Sequence, residues 1–481
     1  MMSDSKRLHP IVSILTAGKR VRNILPFFIT ILIAGGRESK LSLLISLGIS
    51  LVIFILTLLT GILSWLRFTY RFEENELRIE YGVFVRKKRY IPLERIQSIN
   101  YTEGLIQQMF GLVKVRIETA GGENEDEAVF SAITKEEAQL IQEYVSTAKQ
   151  ESRIIKTVEE DQKVFSMSTS ELLILSLTSG GVGVVISAVF ALFSQLDDWI
   201  PYKKIFGGLE EWALKNIMAI MVVVFIGFFL AWVISLFITM LKYANFTVVR
   251  TEGDFIISYG LIEKKQMTIP LRRIQAIRIK ENILRQMIGY ATVYIVSAGS
   301  GSAENQEETK VILLPIIRIK DIAPLLQESL PDYQLEPILI SPPKRALHRY
   351  IFRTWYVIVP IVLASILFLK AWGALSLVLF AVGTIWAILK YKDAGWCLEG
   401  KQLSLRYRTI IRTTVLMQKN RIQSLKMREN YFQQKRELGT IEAFVKSGSG
   451  DSWAAVVDLE KGDIQKIYQW YSRKRPKETA G

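Results

Sequence analysis

The stretch Ile91-Pro92-Leu93-Glu94-Arg95-Ile96-Gln97-Ser98-Ile99 returns as Ile269-Pro270-Leu271-Arg272-Arg273-Ile274-Gln275-Ala276-Ile277. A weaker third copy is Met417-Gln418-Lys419-Asn420-Arg421-Ile422-Gln423-Ser424-Leu425. No other feature constrains the fold as much. Each copy sits in the same local order. A long apolar run comes first, then an alternating aromatic and basic pattern, then Arg-Ile-Gln, then a short segment closed by glycine (Gly111, Gly289, Gly439). The spacing exceeds the roughly 20–50 residues of solenoid units, so each repeat is expected to be a domain with its own core. A length of 481 residues fits about three such domains.

The apolar runs come in pairs ahead of each copy. Ile24–Ala34 and Leu41–Leu66 flank a Gly-Gly-Arg-Glu-Ser-Lys interruption; Leu172–Phe193 and Ile217–Leu241 form a second pair, Tyr356–Leu369 and Ala371–Leu389 a third. A membrane crossing takes about 20 apolar residues. The runs therefore predict three transmembrane hairpins and six segments, the first of them short. Trp65, Trp199, Trp212, Trp232, Trp355 and Tyr356 lie near the run ends, where amphipathic rings favour the interface. The turns at one end carry few lysines and arginines, and nearly all other basic residues fall on the opposite side. By the positive-inside rule, both termini and all polar domains are expected in the cytoplasm, in a multi-pass protein of the cell membrane.

Between the runs the period changes to two. Phe68-Thr69-Tyr70-Arg71-Phe72, a turn at Glu74-Asn75, and Leu77-Arg78-Ile79-Glu80-Tyr81 read as half-buried antiparallel strands. Tyr90 to Ile99 and Val113 to Ile117 continue the pattern. Each module ends in an amphipathic helix: the first opens with Thr134 and Glu137 at capping-box spacing, the second is expected at Lys320–Leu330, the third at Glu460–Arg473. The expected organisation is a basic N-terminus (1–23), hairpin 24–66, module 67–150, linker 151–171, hairpin 172–241 and module 242–333. A proline-containing linker (334–354), hairpin 355–391, module 392–472 and basic tail 473–481 complete it.

This combination resembles the bacterial pleckstrin-homology-like membrane proteins, in the type that carries three such domains. The resemblance rests on Tyr81-Gly82, Pro92 and Arg95-Ile96-Gln97, and again on Tyr259-Gly260, Pro270 and Arg273-Ile274-Gln275. The third repeat keeps Tyr407 and Arg421-Ile422-Gln423 but has Arg408 for glycine and Gln418 for proline. The resemblance implies an α+β membrane protein: three transmembrane hairpins alternating with three bent, seven-stranded PH-like barrels, each capped by a C-terminal helix. It implies no established enzymatic activity.

Two sets of residues are candidates for function. Arg95, Gln97, Arg273, Gln275, Arg421 and Gln423 flank the inward isoleucines of the motif. They serve either repeat-specific packing or a common docking face. Arg86-Lys87-Lys88-Arg89, with Lys264, Lys265 and Arg412 at the aligned positions, is either a solvated turn or a contact with an anionic leaflet, where each cation contributes about 1 kcal/mol. The net charge of +15 agrees with an anionic partner. In a chain with this many apolar runs, that partner is expected to be the membrane surface and not nucleic acid.

No cofactor or metal site is expected. Only His9 and His348 are present, the single Cys397 allows no internal disulfide, and Gly180-Gly181-Val182-Gly183 lies in an apolar run without the context of a dinucleotide loop. The expected role is a non-enzymatic scaffold that binds another membrane protein, itself or the anionic leaflet, in envelope maintenance or stress response. The alternative is a component for lipid or small-molecule transport. Near-absence of charge inside the apolar runs speaks against it.

Overall fold

A computed structural model describes residues 5–24 apart from 19 and 22, then 40–119, 128–151, 162–180, 183, 185–187, 217–298, 310–447 and 450–472. Within these, four helices are long and apolar enough to cross a membrane: Leu44–Leu66, Val224–Tyr243, Lys344–Leu369 and Gly373–Asp393. The last two form one complete hairpin. Past Ile24, the first arm expected at 24–34 lies outside the described residues, as do 181, 182, 184 and 188–193 of the arm expected at 172–193, where Thr169–Thr178 forms a ten-residue helix. Three hairpins and six spans thus become four candidate spans among the described residues.

The chain divides into two compact units: residues 1–160 with 262–270, and residues 161–261 with 271–481. In the first unit, β1 (Lys6–Arg7), β2 (Thr69–Glu73), β3 (Glu76–Tyr81) and β4 (Lys87–Pro92) form a sheet in the order β1-β2-β3-β4. Helix α1 (Lys40–Leu66) comes between β1 and β2 in sequence. A 3-10 turn, Leu93–Arg95, carries the chain into β5 (Ile96–Glu103), and α2 (Leu105–Met109), β6 (Leu112–Thr119), β7 (Ala128–Thr134) and α3 (Lys135–Glu151) follow. Two sheets and α3 close on one core. Tyr70, Leu77 and Ile91 come from the first sheet, Ile96, Val115, Ile117 and Phe130 from the second, Ile141 and Val145 from the helix. The N-terminal segment adds Leu8, Ile11 and Val12, and the Trp65 indole donates to the Leu8 carbonyl at 2.7 Å.

The second unit holds β8 (Gln162–Ser166), α4 (Thr169–Thr178), α5 (Ile217–Tyr243), β9 (Thr247–Arg250) and β10 (Asp254–Tyr259). The next strand, β11 (Lys264–Pro270), belongs to the first unit, where it pairs antiparallel with β5: Lys264 faces Glu103, Lys265 faces Thr102 and Gln266 faces Tyr101. Back in the second unit come β12 (Ile274–Glu281), α6 (Ile283–Ile288), β13 (Tyr290–Ser297), β14 (Lys310–Arg318) and α7 (Ile322–Leu326). The capping helix expected at Lys320–Leu330 is one short turn of 3-10 helix (Ile319–Asp321) and the five residues of α7, with Pro324 in its middle. Helices α8 (Leu347–Leu369) and α9 (Val378–Asp393) make the complete hairpin. The third repeat follows as β15 (Gly395–Glu399), β16 (Gln402–Arg408), β17 (Arg412–Gln418), β18 (Ile422–Arg428), α10 (Tyr431–Gln434), β19 (Leu438–Ser447), β20 (Gly450–Glu460) and α11 (Lys461–Tyr471).

The strands of each expected bent barrel are divided between two sheets. The first half of a repeat and its second half lie in different sheets, and the second half joins the repeat that follows. Thus β12 pairs with β17 over Ala276–Glu281 against Met417–Arg412, giving the sheet β14-β13-β12-β17-β16-β15, while β18-β19-β20 stand as a separate sheet. Nor does each repeat begin after its apolar pair. β1 pairs with β2, β8 with β9, and Ile340 bridges to Trp396, so chain ahead of each membrane segment returns to the sheet behind it.

Two glycines of the repeat have backbone reasons. Gly82 and Gly260 adopt φ of 111° and 103°, and a Cβ on Gly82 would sit 2.0 Å from the Val85 carbonyl oxygen. The closing position of the third repeat is Glu437, at φ 53°, equivalent to Gly111 and Gly289 at φ 65° and 73°. Gly439, expected there, lies in β19, where a Cβ would meet Ile464. The αL residue must immediately precede the strand, and Gly439 is two positions too late.

Candidate functional site

The motif isoleucines Ile96, Ile274 and Ile422 are buried in all three repeats. Their flanking residues have different surroundings. Arg95 is exposed at the end of its 3-10 turn and Gln97 is half-buried in β5. Gln275 is buried, and its amide donates to the Arg273 carbonyl at 3.0 Å. Arg421 donates to the Arg272 carbonyl at 2.7 Å, so the third motif reaches back to the second. Gln423 is exposed, and its carbonyl accepts from the Tyr471 hydroxyl at 3.1 Å. Arg421 therefore meets the backbone of the second motif at Arg272, while Arg95 belongs to the first compact unit.

Of the basic set, Arg86 is paired with Glu80, which Lys88 also approaches at 3.5 Å. The Arg86 hydrogen bond holds the Glu80 carboxyl below its usual range. Lys87 and Lys88 are exposed on β4, and the Arg89 guanidinium lies 5.9 Å over the Tyr81 ring. Lys264 faces Glu103 across the β5–β11 ladder, and Lys265 lies 3.6 Å from Glu263. Arg412 is differently placed. It is bound to the buried Glu281 through Nε at 2.9 Å and through Nη2, and to Asp393 at 3.4 Å. Asp393 also accepts from the buried Arg408.

These placements define a repeating junction. The Arg-Ile-Gln strand of one repeat covers the strand that leads into the Arg-Ile-Gln turn of the next in a fixed register: Glu103 opposite Lys264 and Glu281 opposite Arg412. Among the described residues two strands of this kind lack such a neighbour. β4 ends the sheet β1-β2-β3-β4, and β18 ends the sheet β18-β19-β20. The exposure agrees. Ile279 in β12 is 7% exposed, whereas Met427 at the same position of β18 is 37% exposed.

The repeats also present apolar side chains outward. Phe84 and Val85 tip the β3–β4 turn, Leu261 occupies the equivalent tip of the second repeat and Ile410 that of the third. On the short helix after the motif strand, Leu105, Ile106 and Met109 in α2, Ile283, Leu284 and Met287 in α6, and Tyr431 and Phe432 in α10 are all exposed. The second tip is level with a membrane helix, since the Leu261 amide donates to the Leu241 carbonyl of α5 at 3.0 Å. In the first repeat Arg67, just past α1, donates to the Val83 carbonyl at 2.9 Å. Scattered apolar exposure is ordinary in proteins. Here the exposure recurs at two fixed places per repeat.

A cavity of about 250 Å³ lies where α4 and the end of α5 meet the second repeat. Arg285 of α6 lines it, and burial holds its pKa below the usual guanidinium value. Sequence reading passed over this residue because it sits inside a short apolar segment. The signal was there: Asn282 three residues earlier caps α6, accepting from the Arg285 amide at 2.8 Å, which fixes the arginine on the inner side of the helix.

Residues 27–149, 185–330 and 357–475 each match the family described as Bacterial PH domain. The chain belongs to that family. Its bacterial PH domain repeats coincide with the three copies of the motif, and between them they cover most of the sequence. The chain is also 43% identical, over 490 aligned residues, to the UPF0699 transmembrane protein YdbT of Bacillus subtilis (strain 168), covering 98% of this chain and 99% of that protein. It is thus a transmembrane protein with bacterial PH domains, mixed α and β, with apolar helices set between β-sheets.

Proposed function

We propose that this protein is a non-enzymatic membrane scaffold, with its PH-like modules on the cytoplasmic face and its uncovered β4 edge docking an extended strand of a partner protein. The observation that supports it most is the junction. Within the chain, the edge equivalent to β4 is covered twice, both times by a strand whose last residue is a glutamate facing a cation. Strand addition to an open edge supplies main-chain hydrogen bonds for affinity and side-chain pairing for specificity. The first repeat keeps the cation, Arg86, and adds Lys87, Lys88 and Arg89. The occupant is therefore an acidic strand, ending in a carboxylate opposite Arg86.

A second copy of this chain fits poorly. Laid on β4 in the register of β12 on β17, β18 sets Glu429 opposite Arg86, but also Lys426 opposite Arg89 and Arg428 opposite Lys87, two cation pairs that oppose docking and outnumber the one favourable pair. The apolar tips and short helices seat the modules on the bilayer, which holds the edge beside other membrane proteins.

A photo-crosslinking residue at Tyr90, which is 54% exposed, tests the proposal in native membranes. The expected result is one adduct that maps to an acidic extended segment of another protein and is lost when Arg86 and Lys88 are both changed to Glu. An adduct to this chain's own β18 would replace the hetero-partner with a second copy. No adduct, or one indifferent to charge reversal, would overturn the docking edge.

A further inference from the structure

The cavity between the membrane helices and the second repeat contains a buried cation whose partners are all neutral. The Arg285 guanidinium donates to the Thr178 hydroxyl at 2.9 Å, to the Thr292 hydroxyl and, at 3.4 Å, to the Pro315 carbonyl. Arg285 is 9% exposed, yet no carboxylate among the described residues is hydrogen-bonded to it. Burying a charge without a counter-charge costs several kcal/mol, so native proteins pair such groups. A second cation lines the same space: Lys280, whose ammonium sits 4.6 Å from the Tyr294 ring centre. No acidic residue is among those lining the cavity.

Its position says what kind of anion can arrive. Tyr243, the last residue of the candidate span Val224–Tyr243, lines the wall. Thr178 ends the apolar helix α4, and the next residue, Ser179, lies 3.2 Å from Thr239 of the span, hydroxyl to hydroxyl. Asn282 donates to the Thr178 carbonyl at 2.8 Å, tying α6 to this helix end. The cavity therefore lies where a membrane helix leaves the apolar layer. It is smaller than the roughly 300–1,000 Å³ of sites that enclose a whole drug-sized ligand, so it suits a headgroup whose acyl chains remain outside. Basic pockets at membrane helix ends take anionic headgroups for the same reason.

We infer that this cavity binds one phosphate group, carried by an anionic phospholipid, with Arg285 as its main contact and Lys280 at its rim. The site is separate from the basic β4 edge and stands whether or not that edge docks a partner.

Native mass spectrometry of the full-length protein released from nanodiscs of phosphatidylglycerol and phosphatidylcholine in equal parts tests this. The expected result is one retained phosphatidylglycerol per chain, with phosphatidylcholine at least about tenfold less frequent, as one charge-assisted contact supplies. Retention falls about tenfold in Arg285→Gln and in Lys280→Gln, and Arg285→Lys restores part of it. Because Arg285 also braces Thr178 and Thr292, Ile312→Trp, which fills the cavity from its wall, serves as the variant that leaves those bonds intact. The source of the phosphate is resolved by thermal melting in pure phosphatidylcholine nanodiscs with added inorganic phosphate. Stabilisation lost in Ile312→Trp, without lipid selectivity, would assign the cavity to a soluble phosphate in place of a lipid. Equal retention of both lipids with no response to phosphate would overturn the inference, as would selectivity unchanged in Lys280→Gln and Ile312→Trp.

Discussion

The junction between the second and third repeats is the internal precedent for the open edge, and its central ion pair can be tested directly. Arg412 reaches Glu281 through two nitrogens and retains Asp393 at 3.4 Å, while Glu281 has Arg412 as its cation. Both side chains are largely buried, at 19% and 6% exposure. Removing one partner of a buried pair costs about 3–5 kcal/mol, because the other is left uncompensated. The two truncations should not cost the same. Glu281→Ala leaves Arg412 with Asp393, so the loss falls near about 3 kcal/mol. Arg412→Ala leaves Glu281 buried without an ion-pair partner, with only the more distant Arg406 acting on it, so the loss approaches about 5 kcal/mol. The assay is hydrogen exchange of the β12 and β17 amides in detergent-solubilised protein, with both single variants and the double variant. The double variant should be less destabilised than the two singles together by about 2 kcal/mol, the size expected for contacting residues. Coupling below about 0.5 kcal/mol, or equal effects of the two single changes, would refute the claim that this pair holds the junction.

Three further predictions follow from particular residues. Gly82→Ala should lower the melting temperature through a strained positive φ and a collision with the Val85 carbonyl, costing about 1–3 kcal/mol; an unchanged melt would show that the turn can relax. Burial, aided by Glu399, pushes the Cys397 thiol up to about 11, so little thiolate exists at neutral pH. Maleimide labelling of the folded protein should then be about a hundredfold slower than that of an ordinary thiol, and should speed up as pH rises toward that value; fast labelling at pH 7 would contradict it. Changing Lys426 and Arg428 together to Glu should turn β18 into a complement of β4 and create self-association, since two cross-strand pairs change sign at about 0.2–1 kcal/mol each; a mass in nanodiscs that stays monomeric would show that β4 does not accept this register.

Much of the fold was legible because it is written in period and repetition. The alternation of Leu77, Ile79 and Tyr81, the Glu74-Asn75 turn and the recurrent Arg-Ile-Gln located strands and repeats correctly, and φ values of 50° and 64° at Glu74 and Asn75 match a tight hairpin turn. What could not be read was which strand pairs with which. Strands β5 and β12 have the same inward isoleucines whether their open side meets their own repeat or the next one. Periodicity reports burial of a face, not the identity of the neighbour along an edge. The short strands before the membrane helices escaped for a related reason. Lys6–Arg7 and Gln162–Ser166 are too brief and too polar to show a period, and they become strands only through partners far along the chain.

The same distinction explains why the candidate sites separated as they did. Of the arginines repeated in every copy of the motif, Arg421 bonds to the backbone of the second repeat. A residue found in one copy answers to a local need. Arg285 has no cationic counterpart at the equivalent positions, Gln107 in the first repeat and Gln433 in the third. Gln433 spends its amide on Thr440 and the buried Asp458, so the third repeat fills this position with protein groups. The second repeat places a cation there, beside a cavity and a membrane helix, and no acid is among the described residues that line the cavity. The departure from the repeat, more than the repeat itself, is therefore what supports the proposed ligand position.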